Sequence, residues 1–122
     1  MLSVAAGAKI YFATEPVDLR RGHDGLSALV RARFGMDPLD GHLFVFVGRR
    51  RDRVKILFWD RGGFVLYYKR LAQGRFRMPP MSDGADRVVL DGTELAMLLG
   101  GFDLAASRRL AAWTPTKRQR LA

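Results

Sequence analysis

The sequence predicts a single α+β domain: an antiparallel β-meander flanked by helices, followed by a basic C-terminal tail. Three observations lead to this prediction. The chain has 122 residues, of which 48% are hydrophobic and 11% aromatic, enough for one core of ordinary size. Three strand-like runs follow one another within residues 43–70, joined by short glycine-containing connections. Helical spacing occurs before and after them, so we assign residues 1–106 to the compact domain and residues 107–122 to the tail.

The N-terminal part predicts one strand and one helix. Residues 9–13 (KIYFA) form a short apolar run that ends before Pro16. A helix from about Asp24 to Phe34 follows, because its apolar residues recur at the spacing of one helix face, and Gly35 is a typical helix stop. Those apolar residues are Leu26, Leu29, Val30 and Phe34. The composition of residues 37–41 then predicts a turn.

Residues 43–47, 53–59 and 64–70 predict the three strands of the meander, since they are rich in β-branched and aromatic side chains. Their register decides which side chains share a face, because side chains alternate along a strand. If Trp59 pairs with Gly63, one face becomes an aromatic and basic platform. In that register the platform consists of Arg53, Lys55, Leu57, Trp59, Val65, Tyr67 and Lys69.

The C-terminal part predicts a further strand, a second helix and an arm. Residues 87–90 (RVVL) have strand character. Asp91 can cap a helix in which Glu94 occupies the third position, as in a capping box. From Ala105 the chain can begin as a helix, but Pro115 and the cations that follow predict a mobile arm.

The positive charge of the chain is concentrated in two regions. The formal net charge is +9, and residues 48–77 hold ten Lys or Arg against two Asp. The last sixteen residues add five cations without an acid, whereas residues 78–106 are net negative. Of the 21 cations 17 are Arg, whose planar guanidinium pairs with phosphate through two hydrogen bonds and stacks on bases. This pattern predicts a surface that binds a polyanion, and in particular nucleic acid.

The candidate nucleic-acid contacts fall into three groups. Those of the meander are Arg49, Arg50, Arg51, Arg53, Lys55, Trp59, Tyr67, Lys69 and Arg70. Those that follow it are Arg75 and Arg77, with Phe76 between them as a core anchor, and those of the tail are Arg108, Arg109, Lys117, Arg118 and Arg120. Alternatives remain open: the arginine connection can be a solvated hairpin tip, and the two platform aromatics can be core residues. The cations Lys69, Arg70, Arg75 and Arg77 can be plain surface.

Several classes of function are disfavoured. The chain has no Cys, so a disulfide framework, a cysteine-based zinc site and a thiol nucleophile are excluded. No apolar run approaches the length of a membrane span and no signal peptide is evident, so we expect a cytoplasmic protein without membrane contact.

Metal binding and catalysis are also disfavoured. Asp residues at positions 18, 24, 37, 40 and 60 could in principle share a divalent cation, but they stand where caps and turns favour Asp. His23 and His42 lack a ligand pattern. We therefore expect no metal, no cofactor and no enzymatic activity.

Three segments together resemble a known family. They are KIYFATEPVDLRRGHDGLSALV, DPLDGHLFVFVGRRRDRVKILFWDRGGFVLYYKRLAQGRF and LDGTELAMLLGGFD. They resemble the small accessory proteins, often called TnpB or second-open-reading-frame-like proteins, of the insertion sequence sixty-six family of bacterial transposons. The resemblance runs from about Lys9 to Asp103. It implies a companion needed for transposition, encoded beside a separate transposase that holds the catalytic carboxylates.

These observations predict a non-catalytic, nucleic-acid-binding accessory factor of transposition, with DNA as the expected ligand and the transposase of the same element as a partner. The alternative is an adaptor that docks on the transposase through the acidic residues 78–106. The amino-acid sequence does not indicate which nucleotide sequence is bound, whether the ligand is DNA or RNA, or which oligomeric state the protein adopts.

Overall fold

A computed structural model describes residues 6–100, 102–103 and 108–109 of the chain. It contains a five-stranded sheet with the strand order β4-β3-β2-β1-β5. The strands are β1 (Ile10–Ala13), β2 (Leu43–Val47), β3 (Arg53–Asp60), β4 (Gly63–Arg70) and β5 (Arg87–Leu90). The helices are α1 (His23–Phe34) and α2 (Gly92–Leu99), with a 3₁₀ turn at Pro38–Asp40. None of these described helices has the length and apolarity needed to cross a membrane.

The α+β class and the β2-β3-β4 meander are confirmed, and the sheet as a whole is mixed. Strand β1 runs parallel to β2 and antiparallel to β5, while β2, β3 and β4 pair antiparallel. A parallel pair needs a crossover connection, and α1 lies in the segment that joins β1 to β2. The sheet is therefore an antiparallel meander extended at one side by a β1-α1-β2 unit.

The predicted register of β3 against β4 is wrong by one residue. Trp59 pairs with Phe64, and Asp60 pairs with Gly63. The cause is a two-residue turn in which Arg61 and Gly62 have φ of 45° and 87°, the pattern of a type I′ hairpin. Since side chains alternate, this shift moves every β4 side chain to the opposite face from the one predicted.

Both faces of the sheet are covered, which explains why all five residues of β2 are buried. The face that carries α1 has a core of Tyr11, Ala13, Val17, Leu26, Val30, Phe34, Phe44, Phe46 and Leu57. The face that carries α2 has a core of Ile10, Phe12, Leu43, Val45, Val47, Val54, Ile56, Phe76, Leu90, Leu95 and Leu98. We call these the α1 face and the α2 face.

Helix α1 spans the sheet between two anchored ends. Lys55 of β3 donates from Nζ to the carbonyl of Arg21, just before the helix, at 3.0 Å. Arg87 of β5 donates from Nη1 to the carbonyl of Phe34, the last helical residue, at 3.0 Å. Gly35 then ends the helix in the left-handed conformation, with φ of 62°, as predicted.

The predicted capping box of α2 is confirmed. The Asp91 carboxylate accepts from the Glu94 amide at 2.7 Å, and the Glu94 carboxylate accepts from the Asp91 amide at 3.0 Å. After α2, the backbone of β6 (Phe102–Asp103) pairs antiparallel with that of β7 (Arg108–Arg109). The helical start predicted near Ala105 is therefore wrong at Arg108 and Arg109, because strand pairing overrides local helix propensity there.

Candidate nucleic-acid interface

The connection between β2 and β3, residues 48–52, forms a tight cationic loop that we call the tip. Arg49, Arg50 and Arg51 are all exposed there. The Arg51 amide donates to the carbonyl of Gly48 at 2.9 Å, and the Gly48 amide donates to the carbonyl of Arg53 at 3.2 Å. Two backbone bonds thus hold the loop in one conformation, and its three guanidinium groups extend from a fixed base.

The segment after β4 docks on one side of the tip. The Leu71 amide donates to the carbonyl of Asp52 at 2.7 Å, and the Phe76 amide donates to the carbonyl of Arg51 at 2.6 Å. The Phe76 ring is buried in the α2-face core, which agrees with the predicted anchor. Arg75 and Arg77 flank that buried ring and are exposed, so the docking places two more cations beside the tip.

The loop between β1 and α1 docks on the other side. The Val17 amide donates to the carbonyl of Val47 at 3.0 Å, and the bond from Lys55 to Arg21 holds the far end of the loop. Arg20 and Arg21, both exposed, thereby join the cationic end of the sheet. Sequence reasoning missed them. Their signal was an arginine pair in the segment that joins the first strand to the first helix, but using it required knowing that β1 lies beside β2.

A cleft of about 570 Å³ opens between this loop and the tip. It is lined by Val17, Asp18, Leu19, Arg20, Gly48, Arg49, Arg50, Asp52 and Arg53. Four guanidinium groups and two carboxylates therefore share its wall. We call it the arginine cleft.

One of the two carboxylates in the arginine cleft is already satisfied. Arg20 donates from Nη2 to Asp18 Oδ2 at 2.7 Å and from Nε to the same carboxylate. These side-chain bonds, helped by the Arg20 backbone amide, hold the pKa of Asp18 well below its usual range. The same contact raises the pKa of the Arg20 guanidinium, so it favours the ionised form of both groups.

The other arginines of the cleft have no such partner. Within residues 6–100, Arg49, Arg50 and Arg53 have no carboxylate within ion-pair distance. The Nε atom of Arg53 is buried and lacks a hydrogen-bond acceptor in the described part of the chain. A buried donor without an acceptor is costly, and the same side chain contributes to the cleft wall.

The predicted aromatic platform does not form as a unit. Trp59 and Lys55 lie on the α1 face, whereas Tyr67 and Lys69 lie on the α2 face, because of the shifted register. Trp59 is half-buried beside Phe64, and Tyr67 packs against the α2-face core. Lys69 donates from Nζ to the carbonyl of Leu99 at 2.8 Å, where a cation stabilises the C-terminus of α2.

Tyr68 takes the position that was predicted for Tyr67. It lies directly across from Lys55 on the α1 face, with Lys55 Nζ at 5.4 Å from its ring centroid. Half of Tyr68 is solvent-exposed, 50% by area. Sequence reasoning missed this residue because two tyrosines are adjacent and only the register distinguishes them.

The remaining predicted contacts are distributed as follows. Arg70 is exposed and pairs across the strands with Arg53. The backbones of Arg108 and Arg109 form β7. The tail cations Lys117, Arg118 and Arg120 lie outside the described residues.

The histidines and acidic residues show no grouping suited to a metal within the described ranges, where no three His, Asp or Glu side chains come together. His42 instead accepts a hydrogen bond at Nδ1 from the Lys9 amide at 3.0 Å. Asp37 caps the 3₁₀ turn by accepting from the Leu39 amide at 2.9 Å.

The sequence of this chain is similar to a known protein family and to two curated proteins. Residues 8–109 match the family model described as IS66 Orf2 like protein. Two proteins of Sinorhizobium fredii (strain NBRC 101917 / NGR234) are similar over 117 residues, covering 96% of this chain and 98% of each relative. They are the uncharacterized protein y4jC, 39% identical, and the uncharacterized protein y4hO, 35% identical. No solved structure matches the chain.

Proposed function

This chain belongs to the IS66 Orf2-like family, which is associated with transposition, and on that premise we propose that it is a non-catalytic, nucleic-acid-binding accessory factor. One observation carries the proposal: chain segments far apart in sequence bring their cations to one end of the sheet. These cations are Arg20, Arg21, Arg49, Arg50, Arg51, Arg53, Lys55, Arg70, Arg75 and Arg77.

The charge balance of that end supports a polyanionic ligand. Two carboxylates lie on the cleft wall, Asp18 in the loop before α1 and Asp52 in the tip itself. One of them is engaged by Arg20. Most of the positive charge therefore has no acidic side chain to offset it within residues 6–100, and like charges held close together favour the arrival of an anion.

The conformation of the tip also supports binding by a preformed surface. Arg51 holds a left-handed φ of 61°, which is uncommon for a residue with a side chain. The Arg51 amide donates to the Gly48 carbonyl and the Arg51 carbonyl accepts from the Phe76 amide, and these bonds hold this conformation. A phosphate would meet guanidinium groups mounted on an ordered loop, so less conformational entropy is lost on binding than with a mobile arm.

Salt dependence of binding tests the proposal. Affinity of the full chain for a dye-labelled DNA is measured by fluorescence anisotropy across a salt series. Contact with several phosphates releases counterions, so we expect the dissociation constant to rise about 100-fold or more between about 50 and 200 mM salt. A flat response would exclude phosphate-driven binding and favour the adaptor alternative.

The non-catalytic part of the proposal has its own test. Labelled DNA is incubated with the full chain and Mg²⁺, and we expect the substrate to stay intact. Cleavage or strand transfer that copurifies with the protein and is lost in an Asp18→Asn or Asp52→Asn variant would contradict it.

A further inference from the structure

We propose that Tyr68 stacks on an unpaired base, so that the ligand of this surface is single-stranded nucleic acid. The inference rests on the proposed function and deepens it, because it names the form of the ligand and one residue that recognises it. The residue was not among the contacts predicted from the sequence.

The exposure of Tyr68 sets it apart from the other aromatic residues. Among the Phe, Trp and Tyr side chains of residues 6–100, Tyr68 alone is exposed, and every other one is buried or half-buried. It lies on β4, the outermost strand at that side of the sheet. Its ring is therefore accessible without any rearrangement of the fold.

The surroundings of Tyr68 are cationic. On the α1 face, Lys55 lies directly opposite, and the next cross-strand pair toward the tip is Arg53 with Arg70. Cross-strand and diagonal neighbours lie within about 5–8 Å of one another. A base stacked on Tyr68 would thus have its flanking phosphates next to three cations, one of which, Arg53, also lines the arginine cleft.

The lysine beside the ring is held in place. Lys55 donates to the carbonyl of Arg21 at 3.0 Å while its Nζ lies 5.4 Å from the Tyr68 centroid. This anchoring restrains one side of the ring, and 50% of the residue stays accessible. A restrained aromatic ring among cations is the arrangement with which proteins bind single strands without sequence preference.

Duplex nucleic acid cannot use this ring in the same way. Its bases already stack on one another inside the helix, so a side chain on an open sheet reaches only phosphates and groove edges. Base stacking on an aromatic side chain is available to unpaired bases of either DNA or RNA. Stacking on Tyr68 therefore predicts a difference in affinity between single and double strands, which phosphate contacts by the arginines alone do not predict.

The opposing explanation is that Tyr68 only stabilises β4. An exposed tyrosine favours the strand conformation and interacts with the neighbouring Lys55. On that explanation its removal would lower stability and leave affinity unchanged for all ligands.

The test compares Tyr68→Ile with Tyr68→Phe in the full chain. Isoleucine keeps a high strand propensity but removes the ring, and phenylalanine keeps the ring. The probes are a dye-labelled oligothymidylate of about 12 nucleotides, the uridylate of the same length, and the duplex of the DNA strand with its complement. Circular dichroism and thermal unfolding verify that both variants are folded before affinity is measured.

We expect Tyr68→Ile to bind the single-stranded DNA and RNA probes about 5- to 150-fold more weakly, and the duplex within about twofold of the parent chain. Tyr68→Phe should match the parent on all probes. Weakening restricted to one of the single strands would support stacking and identify the nucleic acid.

Several outcomes would overturn the inference. If the parent binds with the expected salt dependence and Tyr68→Ile binds single strands equally well, the stacking proposal fails while the proposed function stands. Equal weakening on single strands and duplex, or equal weakening by Tyr68→Phe, would also reject stacking. Absence of salt-dependent binding to any probe would reject the proposed function itself.

Discussion

The indole of Trp59 meets the ring of Phe64 edge to face, with 5.1 Å between the centroids and 81° between the planes. The two residues are direct cross-strand partners, one pair away from the hairpin turn. Edge-to-face aromatic pairs add stability beyond the area that they bury. This pair therefore helps hold β3 and β4 in their observed register.

Replacing Trp59 by Ala should lower the free energy of unfolding by about 1–3 kcal/mol, less than for a fully buried Trp, because the side chain is half-buried. Urea denaturation measures the loss. Trp59→Phe is the matched variant that keeps an aromatic pair and should lose less. Nucleic-acid affinity of the folded variant should be unchanged. A loss of affinity with unchanged stability would show instead that Trp59 contacts the ligand.

The tip arginines should contribute to binding and little to stability. The variant combines Arg49→Ala, Arg50→Ala and Arg51→Asn, with Asn chosen because it tolerates the left-handed conformation of Arg51. Exposed cations add little to folding, so the melting temperature should stay nearly unchanged. The negative slope of log affinity against log salt concentration should become less steep, by about 2 to 3.

A control with the same loss of charge separates position from net charge. Lys9→Ala, Arg31→Ala and Arg61→Asn remove three cations from outside the tip and the cleft. If they weaken binding as much as the tip variant does, only net charge matters. If the tip variant binds normally but a chain truncated after Thr114 does not, the tail is the principal contact.

Arg61→Asn should stabilise the protein by about 0.5–1 kcal/mol. Arg61 occupies the first turn position of the β3-β4 hairpin with φ of 45°, and Gly62 follows with φ of 87°. Asn followed by Gly is the preferred sequence for this turn type. Thermal unfolding measures the change. Arg61→Ala removes the same charge without relieving the backbone, so an equal gain in that variant would attribute the effect to charge.

Asp18 should remain ionised at acidic pH where an unperturbed Asp is protonated. The lowered pKa arises mainly from the side-chain hydrogen bonds of Arg20. A carboxyl whose pKa is lowered in the folded state contributes stability above its unfolded pKa, about 3.9, and this contribution is lost as the pH falls through the folded pKa. We therefore expect the ion pair to be present at neutral pH and to be lost only under strongly acidic conditions.

Carbon-13 NMR titration of the Asp18 carboxyl measures this pKa. In Arg20→Ala the pKa should return toward its ordinary value. Identical titration curves in the two proteins would show that the pair does not persist in solution.

The local elements were readable from the sequence because their signals are local. The apolar run of residues 43–47 coincides with β2. The Asp91 and Glu94 spacing predicted the capping box of α2. Phe76 was predicted as an anchor and is buried. Each of these signals depends on residues close in sequence, where propensity and spacing are informative.

The pairing between elements was not readable in the same way. Whether Tyr67 or Tyr68 shares a face with Lys55 depends on a one-residue difference in the register of β3 against β4. The composition of the two strands is compatible with either register. Arg20 was overlooked because its place beside Arg49 depends on β1 running parallel to β2. Long-range pairing of this kind depends on the whole core and not on a sequence window.

The position of β1 between β2 and β5 also constrains the order of folding. The meander closes over short connections, whereas Ile10 pairs with Leu90, 80 positions further along the chain. Loop-closure entropy makes such distant pairing slow unless nearer contacts form first. The β2-β3-β4 hairpins are therefore expected to nucleate the domain, with β5 docking late. The base of the tip, formed by β2 and β3, is therefore expected to be among the first parts of the chain to become structured.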